Sequence, residues 1–334
     1  MRQPSPVTVT DLAADRGSVD HEAAFDPSAL PQLIEEALDR LLPPAEAHPQ
    51  HLHRAMRYSV FSGGKRLRPQ LLLRVAHACG CTAVEGDLAM RVACAVELIH
   101  AASLVHDDLP CFDDAAERRG RPTVHVQYGE PMAVLVGDAL MALAFETISE
   151  CPPHLAPRAL RLLRLLGRAA GSASGIIGGQ SMEQADGGHA FAPLSPEHIE
   201  RYHQMKTGAL FRLAAEAGGM AAGAANHAAW AQVGQLVGMW YQLADDLMDV
   251  CGHAQFMGKP VGQDAAFGRP NALLARGQGA VVAQMRGLSD EIRVAISTLS
   301  VEPEPLLAFL DGLRDHLLLA VGSVATLGAD DARS

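Results

Sequence analysis

Two acidic clusters, each closing a long apolar run, constrain this chain more than any other feature. The first, His106-Asp107-Asp108-Leu109-Pro110-Cys111-Phe112-Asp113-Asp114, follows the run from Leu88 to Val105. The second, Asp245-Asp246-Leu247-Met248-Asp249, follows Val233 to Ala244. Carboxylates crowded at the edge of an apolar segment repel one another and lose hydration, so something cationic should hold them. Two such clusters, each at the end of a buried helix, suggest one shared ionic site.

The helical reading rests on composition. Hydrophobic residues make up 49% of the chain and aromatic residues only 4%, so the core is rich in Ala and Leu. Runs of β-branched residues are scarce, which favours helices over strands. A net charge of −11 argues against general affinity for nucleic acid. The six cysteines show neither a CxxC pair nor zinc-finger spacing and read as the reduced thiols of a cytoplasmic protein. Arg91 and Glu97 interrupt the best apolar run, so no transmembrane segment is expected. The acidic first twenty-odd residues do not read as a secretory signal.

Residues 1–27 read as a flexible polar extension, and residues 28–334 as a single all-α domain built as a helical bundle. Leu30, Leu33, Ile34, Ala37, Leu38 and Leu41 recur at helical spacing before Pro43-Pro44. Further helices are predicted over about 49–61, after Pro69, over 83–109, from Glu130, and over 155–170. Others follow over 196–204, 208–224, 227–250, 270–286, 289–299 and 304–326. Ala115 to Thr123 reads as an arginine-rich polar segment, and Gly187 to Pro196 as a loop.

Asp245 and Asp249 lie four residues apart and share a helix face. Pro110 disfavours continued helix, which puts Asp113 on a turn leading away. Oxygen ligands in this number, without Cys or His among them, suit a hard cation, most simply Mg²⁺, which commonly bridges carboxylates to substrate phosphates. Phosphates need basic partners, and four glycine-adjacent runs offer them: Gly63-Gly64-Lys65-Arg66-Leu67-Arg68, Arg118-Arg119-Gly120-Arg121, Lys206-Thr207-Gly208 at an apparent helix start, and Gly258-Lys259. The glycines let backbone approach an anion, and Arg grips phosphate oxygens in pairs. A solvated surface is the plainer reading of any one run; their interleaving with two acidic clusters points to several bound phosphates.

These motifs resemble those of the trans-isoprenyl diphosphate synthases, the polyprenyl synthases that condense an allylic diphosphate with isopentenyl diphosphate. The carriers run in order from about Leu30 to about 325: GGKRLRP (63–69), HDDLPCFDDAAERRGRPTVH (106–125), GDAL (137–140), GGQ (178–180), KTGAL (206–210), YQLADDLMD (241–249) and GKPVGQDAAFGRPN (258–271). The resemblance implies an all-α bundle around a large central cavity, dependence on Mg²⁺, and a homodimer. It implies that Asp107, Asp108 and Asp113 hold metal against the allylic diphosphate, faced by Asp245, Asp246 and Asp249. Lys65, Arg68, His100 and Arg119 match the isopentenyl diphosphate site. Arg118, Lys206, Thr207, Gln242 and Lys259 match groups that contact the allylic substrate, with Lys206, Thr207 and Gln242 stabilising cationic charge. Spacing independently sets His100 on nearly the same helix face as Asp107.

Product length is implied by Ala102 and Ser103, five and four residues before the first aspartate, where the family often sets the floor of the chain pocket. Both are small, and Pro110-Cys111 forms a two-residue insertion, a combination similar to the geranylgeranyl diphosphate synthases of carotenoid pathways. Small residues for close helix packing are the plainer reading. A farnesyl diphosphate synthase, a non-catalytic partner subunit and a terpene cyclase are the alternatives. The chain departs from the usual pattern at Glu183, at Arg269 and at Pro270-Asn271, which leaves the contacts of that late loop open.

Overall fold

The computed structural model describes residues 26–184, 196–251, 271, 273 and 276–320, and these form a helical bundle. In chain order the helices are α1 (Leu30–Leu41), α2 (Gln50–Val60), α3 (Leu67–Ala78), α4 (Ala83–Asp107), α5 (Val124–Tyr128), α6 (Glu130–Ser149), α7 (Ala156–Ala170), α8 (Ile176–Gln184), α9 (Pro196–His203), α10 (Ala209–Ala221), α11 (His227–Cys251), α12 (Gln278–Leu299) and α13 (Glu304–Ala320). A two-stranded hairpin, β1 (Glu117–Arg118) and β2 (Arg121–Pro122), is the strand structure among the described residues.

α4 and α10 form the centre. α4 packs against α3, α6 and α10, while α10 also packs against α3, α7 and α11. α4 is apolar on all sides because it is covered on all sides: Leu88, Val92, Ala93, Cys94, Val96, Leu98 and Ile99 are fully buried. Its start is fixed by a reciprocal capping box, in which Thr82 accepts from the Glu85 amide and Glu85 accepts from the Thr82 amide. Such a cap contributes about 1 kcal/mol. A well-set start matters here because the far end of the helix carries Asp107.

The two charges that interrupt α4 are both paired within the bundle: Arg91 with Asp87 and Glu150, and Glu97 with Arg66. By length and composition alone, α4 and α6 would each suffice to cross a bilayer. The interruption at Arg91 and Glu97 therefore does not exclude α4 by that measure; its packing inside the bundle accounts for its hydrophobicity. α6 is different, since Val134, Leu135 and Phe145 face outward.

Two local expectations are corrected. The break at 286–289 is absent: α12 runs through Gly287 because Val281, Met285, Leu288, Ile292 and Ile296 continue one buried stripe. The arginine-rich segment after the first acidic cluster, for which the sequence assigned no element, holds the hairpin. Lys206 and Thr207 do not open a helix; they lie in a π-helical turn, Gln204–Gly208, that joins α9 to α10. α8, which the sequence reading left unassigned, packs against that turn.

Candidate active site

α4 delivers the first acidic cluster at its C-terminus. Beyond Asp107 the chain folds back on the helix end, with the Asp113 amide donating to the Asp107 carbonyl at 2.9 Å and the Ala115 amide to the Asp108 carbonyl at 3.2 Å. Asp113 is on a turn, as Pro110 suggested, but the turn does not lead away: these hydrogen bonds bring Asp113 back towards Asp107. The three carboxylates then differ in setting. Asp107 and Asp113 are partly exposed, whereas Asp108 is 4% exposed and faces inward. Arg118 on β1 grips Asp108 with Nε 2.9 and 3.0 Å from its two oxygens and a terminal nitrogen at 2.7 Å. Burial pushes the Asp108 carboxyl upward and the guanidinium opposes that push. Burial likewise works against Arg118, but the hydrogen bonds and charge of Asp108 hold it above its ordinary value. Asp108 and Arg118, which the resemblance assigns to metal and to substrate, are bonded to one another here.

The hairpin that carries Arg118 turns through Arg119 and Gly120, both at positive φ (55° and 71°), as a tight mirror-image turn requires. This sends Arg119 back over Gly63 and Gly64, where it donates to the Gly63 carbonyl. A Cβ on Gly64 would stand 2.8 Å from the Arg119 guanidinium, and Gly64 has a φ of 133°. Thus the glycine pair admits an arginine side chain. Lys65 follows, partly desolvated and drawn below its ordinary value by that desolvation. Arg68 is the second residue of α3, with its guanidinium 4.7 Å over the Phe211 ring and 3.3 Å from His100 Nε2. Arginine only donates, so Nε2 accepts and the His100 proton sits on Nδ1. Burial, then Arg68, Arg119 and Arg118, hold His100 well below its ordinary value, so it is neutral. Burial lowers Arg68 too, and its Nε is buried without a hydrogen-bond partner.

The second cluster occupies the last two turns of α11. Asp245 is partly exposed, while Asp246 and Asp249 are 1% and 2% exposed. A relay reaches this cluster from the π turn: Thr207 Oγ1 donates to Gln242 Oε1 at 2.6 Å, and Gln242 Nε2 donates to Asp246 Oδ1 at 2.7 Å. Asn271, the departure noted in the late loop, is buried; it donates to the Asp246 carbonyl at 3.2 Å and accepts from the Leu273 amide at 2.9 Å. It ties the acidic end of α11 to the segment that follows, and the sequence carried no signal of that role. Lys259 and Arg269 lie outside the described residues, as does the loop expected over 187–195.

Asp107, Arg68, His100, Lys206 and Thr207 share one cavity of about 520 Å³. Much of its remaining wall is apolar, with Ile99, Leu104, Phe112, Met141, Ile176, Ile177 and Leu210, beside the polar His106 and Ser181. Ser103 lines it, whereas Ala102, 1% exposed, is buried on another face of α4. Gln180 also reaches the wall and buries its amide without a hydrogen-bond partner. The sequence reading quoted Gln180 within a motif but gave it no role. A volume of this size suits a small-molecule site.

Do the carboxylates fit Mg²⁺? Among the described residues no three His, Cys, Asp or Glu side chains form a ready metal group. Magnesium, however, keeps waters and takes one or two carboxylates plus substrate phosphates rather than a protein cage. Oxygen-only donors in two separate groups, with cations nearby, meet that requirement, so the residues fit the ion in the company of a diphosphate.

Comparison with known proteins agrees with this arrangement. Residues 49–290 match the polyprenyl synthetase family model. A geranylgeranyl diphosphate synthase of Rhodobacter capsulatus is 40% identical over 305 residues, covering 90% of this chain and 100% of the relative. Among solved structures, an FPP/GFPP synthase from Zymomonas mobilis superposes with a TM-score of 0.71 at 32% identity, over 84% of this chain and 97% of its own. A geranyltransferase from Helicobacter pylori, complexed with magnesium and isoprenyl diphosphate, gives 0.73 at 27%, over 89% and 99%. The fold is that of an all-α isoprenoid synthase. The chain belongs to the polyprenyl synthetase family.

Proposed function

We propose that the protein condenses isopentenyl diphosphate with an allylic diphosphate (dimethylallyl, geranyl or farnesyl) and releases diphosphate, with geranylgeranyl diphosphate as the end product. The observation that carries this is the one cavity that joins Asp107, Arg68, His100, Lys206 and Thr207 to a largely apolar wall. Bound Mg²⁺ would supply charge neutralisation for the departing diphosphate. Asp107, Asp113 and Asp245, the partly exposed carboxylates, are our first choice to hold it. Asp108, Asp246 and Asp249 are buried and would act in support.

Lys65, Arg68, His100 and Arg119 would receive isopentenyl diphosphate. The unspent Nε of Arg68 and the left-handed turn that aims Arg119 support this. Lys206 and Arg118 would face the allylic diphosphate, together with Lys259. As the allylic C–O bond ionises, positive charge develops beside Thr207, whose hydroxyl is oriented by Gln242. Fixed oxygen dipoles there stabilise that charge without reorganising. The isopentenyl double bond then attacks the cation, the released diphosphate takes the proton that is lost, and the apolar wall excludes water that would trap the cation. No histidine base is needed, which suits a neutral His100 already accepting from Arg68.

The length of the product follows from small Ser103 on the cavity wall and from the named activity of the Rhodobacter relative. We also read residues 28–334 as one catalytic domain after the extension 1–27, in a cytoplasmic protein whose described cysteines are thiols. A homodimer is our reading of the outward apolar face of α6, with Val134, Leu135 and Phe145. Incubating the full chain with Mg²⁺, isopentenyl diphosphate and dimethylallyl diphosphate, and sizing the dephosphorylated products, tests the reading. A C20 product is expected. A C15 product would overturn the length and favour a farnesyl synthase; no condensation would overturn the reaction.

A further inference from the structure

Arg66 stands between two residues of the isopentenyl diphosphate half-site and yet directs four of its five N–H donors into the protein. Its Nε gives to Glu35 at 2.8 Å, one terminal nitrogen to Glu97 at 2.8 Å, and the other to the Val60 carbonyl at 2.7 Å and Glu35 at 3.3 Å. Arg66 is 5% exposed and Glu97 4%. Arg66 also has a φ of 47° and caps α3 with its backbone, so the chain reverses handedness at this residue. The left-handed conformation is unfavourable for arginine and persists because the side chain is bonded on every side. On one side of it Lys65 is held further, since Gln70 donates to the Lys65 carbonyl at 2.7 Å. On the other side Arg68 begins the helix.

Glu97 adds the second half of the relationship. It lies three residues before His100 on α4, one helical turn away. Its buried charge acts on Arg68 and Arg119 as well as on Arg66. A group of cations assembled to receive a diphosphate would repel itself when empty, and a carboxylate set behind it offsets that repulsion without occupying the front.

We propose that Arg66 and Glu97 are positioning residues for isopentenyl diphosphate: their buried pair fixes Lys65 and Arg68 on α3 against His100 on α4 and keeps the cationic cradle assembled. The proposal rests on the reading that Lys65, Arg68 and His100 receive that substrate. It requires that loss of the pair weaken one substrate and spare the other. Displacements of the order of 1 Å at a binding group cost up to about 100-fold.

Glu97→Gln keeps the shape and removes the charge; Arg66→Lys keeps the charge and removes the fork. Both should raise KM for isopentenyl diphosphate about 10-fold, with KM for the allylic substrate within about 2-fold of the parent. Titration calorimetry with isopentenyl diphosphate alone, without turnover, should show the same weakening. Equal changes in both KM values, or unchanged binding in a folded Glu97→Gln protein, would overturn the proposal. If either buried variant fails to fold, Glu35→Ala carries the test, because it strips two Arg66 bonds at the solvent side; a rise in the isopentenyl KM alone is again expected, and no rise would overturn it. Failure of the parent protein to bind isopentenyl diphosphate in the calorimeter would instead defeat the functional reading itself.

Discussion

Thr207 on the π turn and Gln242 on α11 are joined by a 2.6 Å hydrogen bond, and through Gln242 the turn is tied to Asp246. Cation stabilisation and the second acidic cluster are thus parts of one network. Gln242→Met removes both bonds at nearly constant volume. The expected result is a fall in kcat of about 10–100-fold, or about 1.4–2.7 kcal/mol, with smaller changes in KM. Steady-state kinetics checks it, and an unchanged kcat would separate the relay from the chemistry.

The carboxylates of the two clusters should not respond alike. Asp107→Asn and Asp245→Asn should each lower kcat by at least about 100-fold and raise the Mg²⁺ concentration for half-maximal rate. Asp108→Asn should in addition cost about 1–3 kcal/mol of stability, because it leaves Arg118 with a neutral partner in a largely buried place. Urea unfolding of the metal-free proteins distinguishes these outcomes.

Ser103 and Ala102 separate in the same way. Ser103→Phe should fill the cavity beside Phe112 and Met141 and shorten the product to C15 or below. Ala102→Phe enters a packed interface and should chiefly destabilise, by about 1–3 kcal/mol. Product sizing together with thermal unfolding decides which residue sets the floor.

His100 gives a pH prediction. Its folded pKa lies well below the ordinary 6.5, so between those two values the unfolded chain binds the extra proton. Stability should therefore fall as pH drops below about 6.5. Replacing His100 by Gln, which can still accept from Arg68, should flatten that fall relative to the parent when unfolding is followed from pH 7.5 to 5.

Much of this was legible because the strongest signals were local. An apolar run ending in carboxylates marks the end of α4, and seven-residue spacing brings His100 and Asp107 to one wall. Where the reading failed, tertiary packing overrode a local signal. Gly287 reads as a breaker, but its position is open to solvent and costs only about 1 kcal/mol against the buried stripe of α12. Arg119-Gly120 is an unusual pair for a mirror-image turn, and it forms where Arg119 can lie over Gly63 and Gly64. The occupation of Arg118 by Asp108, of Arg66 by two glutamates and of Asn271 by α11 depends on residues far apart in sequence. No spacing rule reports such pairs.

Gly179 shows a similar dependence. A Cβ there would stand 2.7 Å from the Lys206 amide nitrogen, so Gly179→Ala should push on the π turn and lower kcat while leaving the bundle folded by circular dichroism.

The π turn itself has a consequence for how this protein could change by insertion or deletion. An α-helix advances about 100° per residue, so one residue more or less before Lys206 rotates everything beyond it by that amount. Between α9 and α10 the π turn, closed by i→i+5 bonds, holds one residue more than an α-helical turn would. Loss of a single residue from Gln204–Met205 would let an ordinary helix form, and it would carry Lys206 and Thr207 off the cavity wall. The segment is therefore intolerant of length change although its composition is unremarkable, and a one-residue deletion there should be as damaging as losing an aspartate.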